Sequence, residues 1–503
     1  MTKGITGLLA CWTIIVTMVS ADDEKQSHKV YRIVPDSDNQ VQILKSMTKY
    51  STKRGLNFWS YPSNIGRPVD VMVDPDKNAD FLKTLDQFGI SNYTIKIDDV
   101  QKLIQEKQTT NKSAWSRIMY DLPFRSVNKV NFNVADFHSY AEITKYLQDL
   151  AANYPSFIKL FSMGDSVENR KLWVLQIDKP SLQGPPKKAV YIDAGIHARE
   201  WLAPTTALYF INELVSGYLR NDPQIVQYVE NLVWYVAPLV NPDGYEYTRS
   251  SSNPNVRLWR KNRGKSVCKQ KNWFSQSCCS GVDLNRNFGY RWGETGASDD
   301  PCEEIFKGQT AFSEPESRSI RDFVASHLST IDAYVTLHTY SQMWIYPYGN
   351  RKRNYPPDVN ALRGTALSAT GALKQVYGTQ YKRGTALSAT GALKQVYGTQ
   401  YKVGTGADLL YDASGGSDDW TKSMGVKYVY LIELRPGEMD DDGFIVGREQ
   451  ITPTGRETWQ GVRVVADTVL EKNGFKVVKN RRLQRKVQRP NIRRSWSSIT
   501  NAL

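Results

Sequence analysis

Four runs of this chain, KAVYIDAG (188–195), NLVWYVAPLV (231–240), IDAYVTL (331–337) and VKYVYLI (426–432), are nearly continuous in apolar residues. A strand with one wet face shows a polar residue at every second position, so runs like these belong to strands covered on both faces. Segments of helical periodicity separate them. That alternation predicts an α/β domain with a mixed, mostly parallel central sheet flanked by helices. Each run is followed at its carboxyl end by polar residues: IHARE, NPDGYEYT, HTYS and ELRPG. Open α/β sheets bind ligands along that edge, so four strand ends are expected to deliver His197, Glu200, His338 and Glu433 to one rim.

His197 and Glu200, three apart, can turn toward a shared point, and His338 from another strand completes a two-histidine, one-carboxylate set. Catalytic zinc is held by three protein ligands with a fourth position left for water. Taken alone, His-x-x-Glu is a weak pattern that arises often by chance. Its weight here comes from the strand-end setting. His28, His138 and His327 lack that setting, and a structural role is expected for each.

At 503 residues the chain has room for one large domain and a smaller one. Ahead of the α/β pattern, short strand-like runs (HKVYRIVP, RPVDVMV, YTIKI) and helix-compatible stretches such as NADFLKTLDQFG predict a small α+β unit. The two sequons, Asn92-Tyr93-Thr94 and Asn111-Lys112-Ser113, are usable glycosylation sites on a secreted surface. The polar, Arg-containing stretch NKSAWSRIMYDLPFRSVNKVNF reads as a protease-sensitive linker.

Residues 1–21 carry an early Lys, an apolar stretch from Ile5 to Val19 and small residues Ser20 and Ala21 before DDEK. This is the pattern of a secretory signal peptide cut after Ala21. A membrane span needs about 20 apolar residues, more than this run supplies. Secretion permits disulfides, and once Cys11 leaves with the signal the remaining cysteines are Cys268, Cys278, Cys279 and Cys302. An even, clustered set predicts two bridges in one loop region, with three pairings open. Zinc binding by these thiols is the rival reading, against which stands the absence of Cys-x-x-Cys spacing.

The formal charge of +14 raises the question of a nucleic-acid partner. Much of the charge sits in residues 475–503, which hold nine Lys or Arg and no Asp or Glu. That tail is expected to be disordered and able to bind polyanions such as sulfated glycans or acidic membrane surfaces. No recognition motif for specific nucleic acid accompanies it. One further oddity is the segment RGTALSATGALKQVYGTQYK, present without change at 363–382 and again at 383–402. Two copies do not make a solenoid, and one copy should be surplus to the fold.

From about Asn131 to Glu471 the chain resembles the zinc carboxypeptidases of the pancreatic A and B type, closest to the B type. The unit before it resembles their inhibitory propeptide. The resemblance rests on GIHAREW, NPDGYEYT, RLWRKNR, GVDLNRNF, LHTYSQ, YPYG, ASGGSDDW and IELR, in that order. It implies a signal peptide at 1–21, a propeptide with activation linker at 22–125, a catalytic domain at 126–474 containing the duplicate, and the basic tail at 475–503.

By that resemblance one zinc ion per chain would be held by His197, Glu200 and His338, with Asp283 fixing the far nitrogen of His197. Glu433 would be the general base and Arg260 would stabilise the oxyanion. Asn285, Arg286 and Tyr411 would grip the substrate's free carboxylate, which a guanidinium matches with two parallel hydrogen bonds. Arg199 and Tyr340 would lie farther along the substrate. Asp418 falls where B-type members carry the acid that meets a C-terminal Lys or Arg, and Gly406 matches the B-type pocket wall, whereas Gly349 follows the A-type pattern. Cys279 with Cys302 would be the family's shared disulfide, leaving Cys268 with Cys278 as an extra local pair. Activation by a trypsin-like protease would cut after Arg125, with Arg117 second, and Pro436 stands where relatives carry a cis peptide. The implied substrates are peptide or protein C-termini. The implied alternatives are an A-type preference for apolar C-termini, or a secreted peptide- or polyanion-binding protein whose catalysis the duplication has impaired.

Overall fold

The computed structural model describes residues 27–109, 128–180, 185–272, 275–378 and 400–478. The signal sequence, the linker with Asn111, Arg117 and Arg125, most of the second repeat copy and nearly all of the basic tail lie outside these residues. Among those described, no helix is long and apolar enough to cross a membrane.

The amino-terminal unit is a four-stranded antiparallel sheet in the order β2 (Leu56–Phe58), β3 (Val69–Val73), β1 (Lys29–Ile33), β4 (Tyr93–Ile97). Helices Asp38–Thr48 and Asn78–Gln87 pack through Leu44, Met47, Phe81 and Leu85 onto Tyr31, Ile33, Val69, Val71 and Val73. The third helix, Val100–Thr109, lies with Val30, Met72 and Ile97 in a cluster that also takes in Leu258, Tyr340 and Phe444. The small unit thus shares a core with the large one.

The large unit is built on an eight-stranded sheet: β13 (Lys402–Thr405), β12 (Met343–Tyr346), β14 (Tyr428–Gly437), β11 (Ile331–Ser341), β7 (Lys188–Ala194), β8 (Leu232–Ala237), β6 (Lys171–Ile177) and β5 (Ile158–Asp165). The four apolar runs of the sequence form its centre, β14, β11, β7 and β8, all parallel. At the flanks β12, β6 and β5 pair antiparallel and β13 pairs parallel to β12, which gives the mixed sheet expected.

Helices cover both faces, which is why the central strands can afford no polar alternation. Helix Leu202–Leu219 is buried along most of its length, and Ile451–Lys472 lies beside it with Trp459 between Phe210 and Trp234. Helix Tyr140–Asn153 starts with a capping box: Ser139 accepts from the Glu142 amide while the Glu142 carboxylate accepts from the Ser139 amide. Such a cap stabilises a helix by about 1 kcal/mol. A hairpin of β9 (Val267–Asn272) and β10 (Ser275–Cys279) stands outside the sheet. Cys268 and Cys278 are bonded across it, and Cys279 is bonded to Cys302.

The first repeat copy, as far as Gly378, lies in helix Val359–Gly378, where Leu362, Ala366, Ala369 and Leu373 face the core. Lys402, the last residue of the second copy, opens β13.

Candidate active site

The chain leaves β7 through Gly195, whose φ is +71°. A Cβ there would stand 2.8 Å from a Leu239 methyl and 2.9 Å from Pro204, so both conformation and space call for glycine. This turn carries His197 across the carboxyl edge of the sheet and sets Glu200 just ahead of helix Leu202–Leu219. His338 and Glu433 sit within β11 and β14, directly opposite each other in the parallel ladder. Three of the four strand ends therefore supply the four residues. The fourth, after β8, brings Asn241 instead, which donates to the carbonyls of Ile196 and Lys261 and caps its own helix by accepting from Gly244. It ties down the loop that bears His197.

His197 Nδ1 is 2.7 Å from Glu200 Oε1, His338 Nδ1 is 3.3 Å from Glu200 Oε2, and the two Nδ1 atoms are 3.2 Å apart. All three side chains are buried. Two imidazole nitrogens facing each other beside a carboxylate have more lone pairs than protons to share, an arrangement suited to a cation. Bonds of about 2.0–2.1 Å at tetrahedral angles place ligand atoms about 3.3 Å apart, close to what is seen, and two nitrogens with one oxygen is a zinc donor set. The residues present fit that ion.

Groups behind the trio fix its orientation. His197 Nε2 faces Asp283 Oδ1 at 3.2 Å, and the other carboxylate oxygen of Asp283 accepts from Arg260 Nε at 3.0 Å and from its Nη2 at 2.9 Å. With Nε2–H directed at Asp283, Nδ1 of His197 keeps its lone pair toward Glu200 and His338. His338 Nε2 lies 3.3 Å from Thr336 Oγ1, and the Thr339 amide donates to Glu200 Oε2. Burial opposes ionisation of Asp283, yet Arg260, Arg286 and His197 hold its pKa well below the usual carboxylate range. Glu200 is likewise held low against burial by the two histidines.

Glu433 is the opposite case. Its Oε2 is shut from solvent without a hydrogen-bond partner. Burial, together with the negative charges of Glu200 and Asp418, pushes its carboxyl up to about 8 in the metal-free protein, against the pull of His338 and Arg260. A buried carboxyl with an unengaged oxygen beside the trio is placed to exchange a proton with a group bound there.

One cleft is lined by His197, Glu200, Arg260, Asn285, Arg286, His338, Tyr340, Gly406, Tyr411, Asp418 and Glu433. Arg286 donates to Tyr411 Oη at 2.8 Å and is steadied by the carbonyls of Gly296 and Asn285. Asn285 Oδ1 accepts from the Ser417 amide. Asp418, also lining the cleft, is buried against Gly416, where a Cβ would stand 2.7 Å from its Oδ1, while Gly406 and Gly349 lie against each other, a Cβ on Gly406 being 3.4 Å from the Cα of Gly349. Burial raises the pKa of Asp418, and burial plus the charge of Asp418 raises that of its neighbour Asp419 further. Asp419 is occupied, accepting from the Gly349 amide with both oxygens at 2.9 Å, so it holds the pocket wall in place.

Arg199 is not among the residues lining the cleft. It is buried beneath the amino-terminal unit, donating to Asn57 at 3.0 Å and covering the ring of Phe444 at 4.1 Å. Other residues of that unit fill the mouth of the cleft: Trp59 meets Phe444, Tyr61 meets Tyr411 at 5.0 Å, and Asp70 accepts from Tyr340 Oη at 2.9 Å. Sequence reasoning did not single out Asn57, Trp59, Tyr61, Asp70, Thr336 or Phe444. No local pattern marks them, because their roles arise only when distant segments meet.

Comparison with known proteins gives a consistent picture. Residues 143–461 match the model of a family described as zinc carboxypeptidase, and residues 31–107 match that of the carboxypeptidase activation peptide. Carboxypeptidase A1 of Bos taurus is 35% identical over 88% of this chain and 94% of its own length. Carboxypeptidase B of Astacus astacus is 40% identical over 66% of this chain and 97% of its own. The crystal structure of carboxypeptidase A from Helicoverpa armigera superposes with a TM-score of 0.70 at 30% identity, covering 88% of this chain and 98% of that one.

Proposed function

The chain belongs to the zinc carboxypeptidases and carries the activation peptide of that family, and on this basis we propose that it is a secreted zymogen which, once cut after Arg125, removes C-terminal Lys or Arg from peptides and proteins. In this reading a signal peptide occupies 1–21, the propeptide and linker 22–125, the catalytic domain 126–474 and a polyanion-binding tail 475–503. A trypsin-like protease is the activating partner.

One zinc ion per chain is assigned to His197, Glu200 and His338, with Asp283 as the residue that orients His197. Bound there, zinc would supply Lewis acidity, lowering the pKa of water and polarising the substrate carbonyl. Glu433 takes the proton from the attacking water and passes it to the departing amine. Arg260, anchored on Asp283 through Nε and Nη2, keeps its Nη1 donors for the oxyanion. Arg286, Asn285 and Tyr411 receive the free carboxylate, which limits the enzyme to chain ends. Tyr340 flanks the substrate farther from its end, and Arg199 joins it once removal of the amino-terminal unit uncovers it.

Preference for a basic residue rests on one observation: Asp418 is a buried acid in the lining of the cleft, which it shares with Gly349 and Gly406. A long cation fits that space and restores the ionised form of a carboxyl that burial disfavours. An apolar residue would leave the acid unpaired. Gly349, shared with the A type, favours the second reading of an apolar preference. The two readings separate in one assay. After trypsin treatment, substrates ending in Arg or Lys should be hydrolysed in preference to those ending in Phe or Leu; the reverse order would assign A-type specificity.

A further inference from the structure

The loop between β14 and the residues leading to helix Ile451–Lys472, GEMDDDG from Gly437 to Gly443, is closed by bonds internal to the large unit. The Gly437 amide donates to Asp440 Oδ2 at 2.7 Å, the Asp440 amide to the Gly437 carbonyl, and the Ile445 amide to the Asp442 carbonyl. None of these bonds involves the propeptide. The turn they make directs the carbonyls of Glu438, Met439 and Asp440 toward a single point.

Arg32 of the propeptide occupies that point. Its Nη1 donates to Met439 O at 2.8 Å, and its Nη2 donates to Glu438 O at 2.8 Å and Asp440 O at 3.3 Å, with an Asp441 carboxylate oxygen 4.0 Å away. Three carbonyls around a planar, five-donor group are a receptor for a guanidinium. The receptor stands on the cleft's rim: Glu438 and Phe444 line the same cleft as Glu433 and Tyr340, and the carboxylate of Asp70 joins Arg32 to the Tyr340 hydroxyl. Activation removes Arg32 and with it Arg67 and Lys107, which pair with Glu438 and Asp442. The catalytic unit then retains the three carbonyls and the nearby acids, offset by Lys402 on Glu438.

We propose that in the activated enzyme this loop is a binding site for a second basic side chain of the substrate, upstream of the residue removed, so that Arg32 holds in the zymogen the place of a substrate Arg or Lys. The preferred substrates then carry an Arg or Lys a few positions before the residue removed. This rests on the peptide-cleaving function above but is independent of which C-terminal residue is preferred.

The test uses the activated protein and peptides of one length and one C-terminal residue, with Arg or norleucine at each of the second to fifth positions from the end. At one position Arg should raise kcat/KM about tenfold, chiefly through KM, and the ratio should shrink as salt rises from about 50 mM to about 0.5 M, as exposed charge pairs are screened. Asp440→Ala, which opens the turn, and Asp441→Asn, which leaves it closed, should both lower the ratio. A ratio within twofold of one at every position, or one that neither variant changes, overturns the proposal. Failure to cleave any peptide of the series would instead overturn the function it rests on.

Discussion

At the scale of single residues the proposed chemistry depends on a buried carboxylate oxygen that no donor engages. Glu433 Oε2 is buried without a hydrogen-bond partner, while both carboxylate oxygens of Glu200 are engaged. Glu433→Gln should therefore retain zinc, measured by metal analysis, and lose roughly 10²–10⁴-fold in kcat. Asp418→Asn should cost Arg-ending substrates about 10- to 100-fold in kcat/KM, the range of a lost hydrogen bond to a charged group, and change Leu-ending substrates little. Thr336→Val should weaken zinc about tenfold in a chelator competition, with Thr336→Ser retaining it, because the hydroxyl is what faces the far nitrogen of His338. How readable these residues were differs for physical reasons. His197 and Glu200 share one turn of chain, so their spacing carries information. Thr336, two residues before His338, and Asp419, beside Asp418, act through contacts that only the assembled strands create.

At the scale of elements, the four central strands were readable because strands buried on both faces must be apolar throughout. The register that sets His338 beside Glu433, and the extension of β11 and β14 past their apolar runs to Ser341 and Gly437, were not, since pairing between strands distant in sequence leaves no periodic trace. In the small unit β2 is three residues long, too short to show alternation. The same unit contains a pH-sensitive contact. Burial opposes ionisation of Asp70, but Arg32 and Lys96 hold its pKa below the ordinary value. A carboxylate whose folded pKa is depressed contributes stability in full above the unfolded value, about 3.9, and loses it as pH falls through the lower folded value. The protection factors of the β1 and β3 amides, with the intrinsic pH dependence of exchange removed, should therefore fall as pH drops below about 4, and Asp70→Asn should be weakened at neutral pH with a smaller acid dependence.

At the scale of the whole molecule, the propeptide and the catalytic unit were legible as separate composition blocks. Their packing was not. The residues that join them, Asn57 to Arg199, Tyr61 to Tyr411, Asp70 to Tyr340 and Arg32 to the 438–440 carbonyls, come from segments 142 to 408 positions apart. Because they close the cleft over the residues assigned to substrate, the intact chain should be inactive until the linker is cut. The most direct measurement follows from this. The full-length protein, before and after trypsin, is incubated with a peptide ending in Arg, and the products are read by mass spectrometry with chelator and after return of zinc. The expected result is loss of the single terminal Arg only after trypsin, abolished by chelator and restored by about one zinc per chain. Cleavage inside the peptide, or removal of the terminal residue that chelator leaves unchanged, would contradict it.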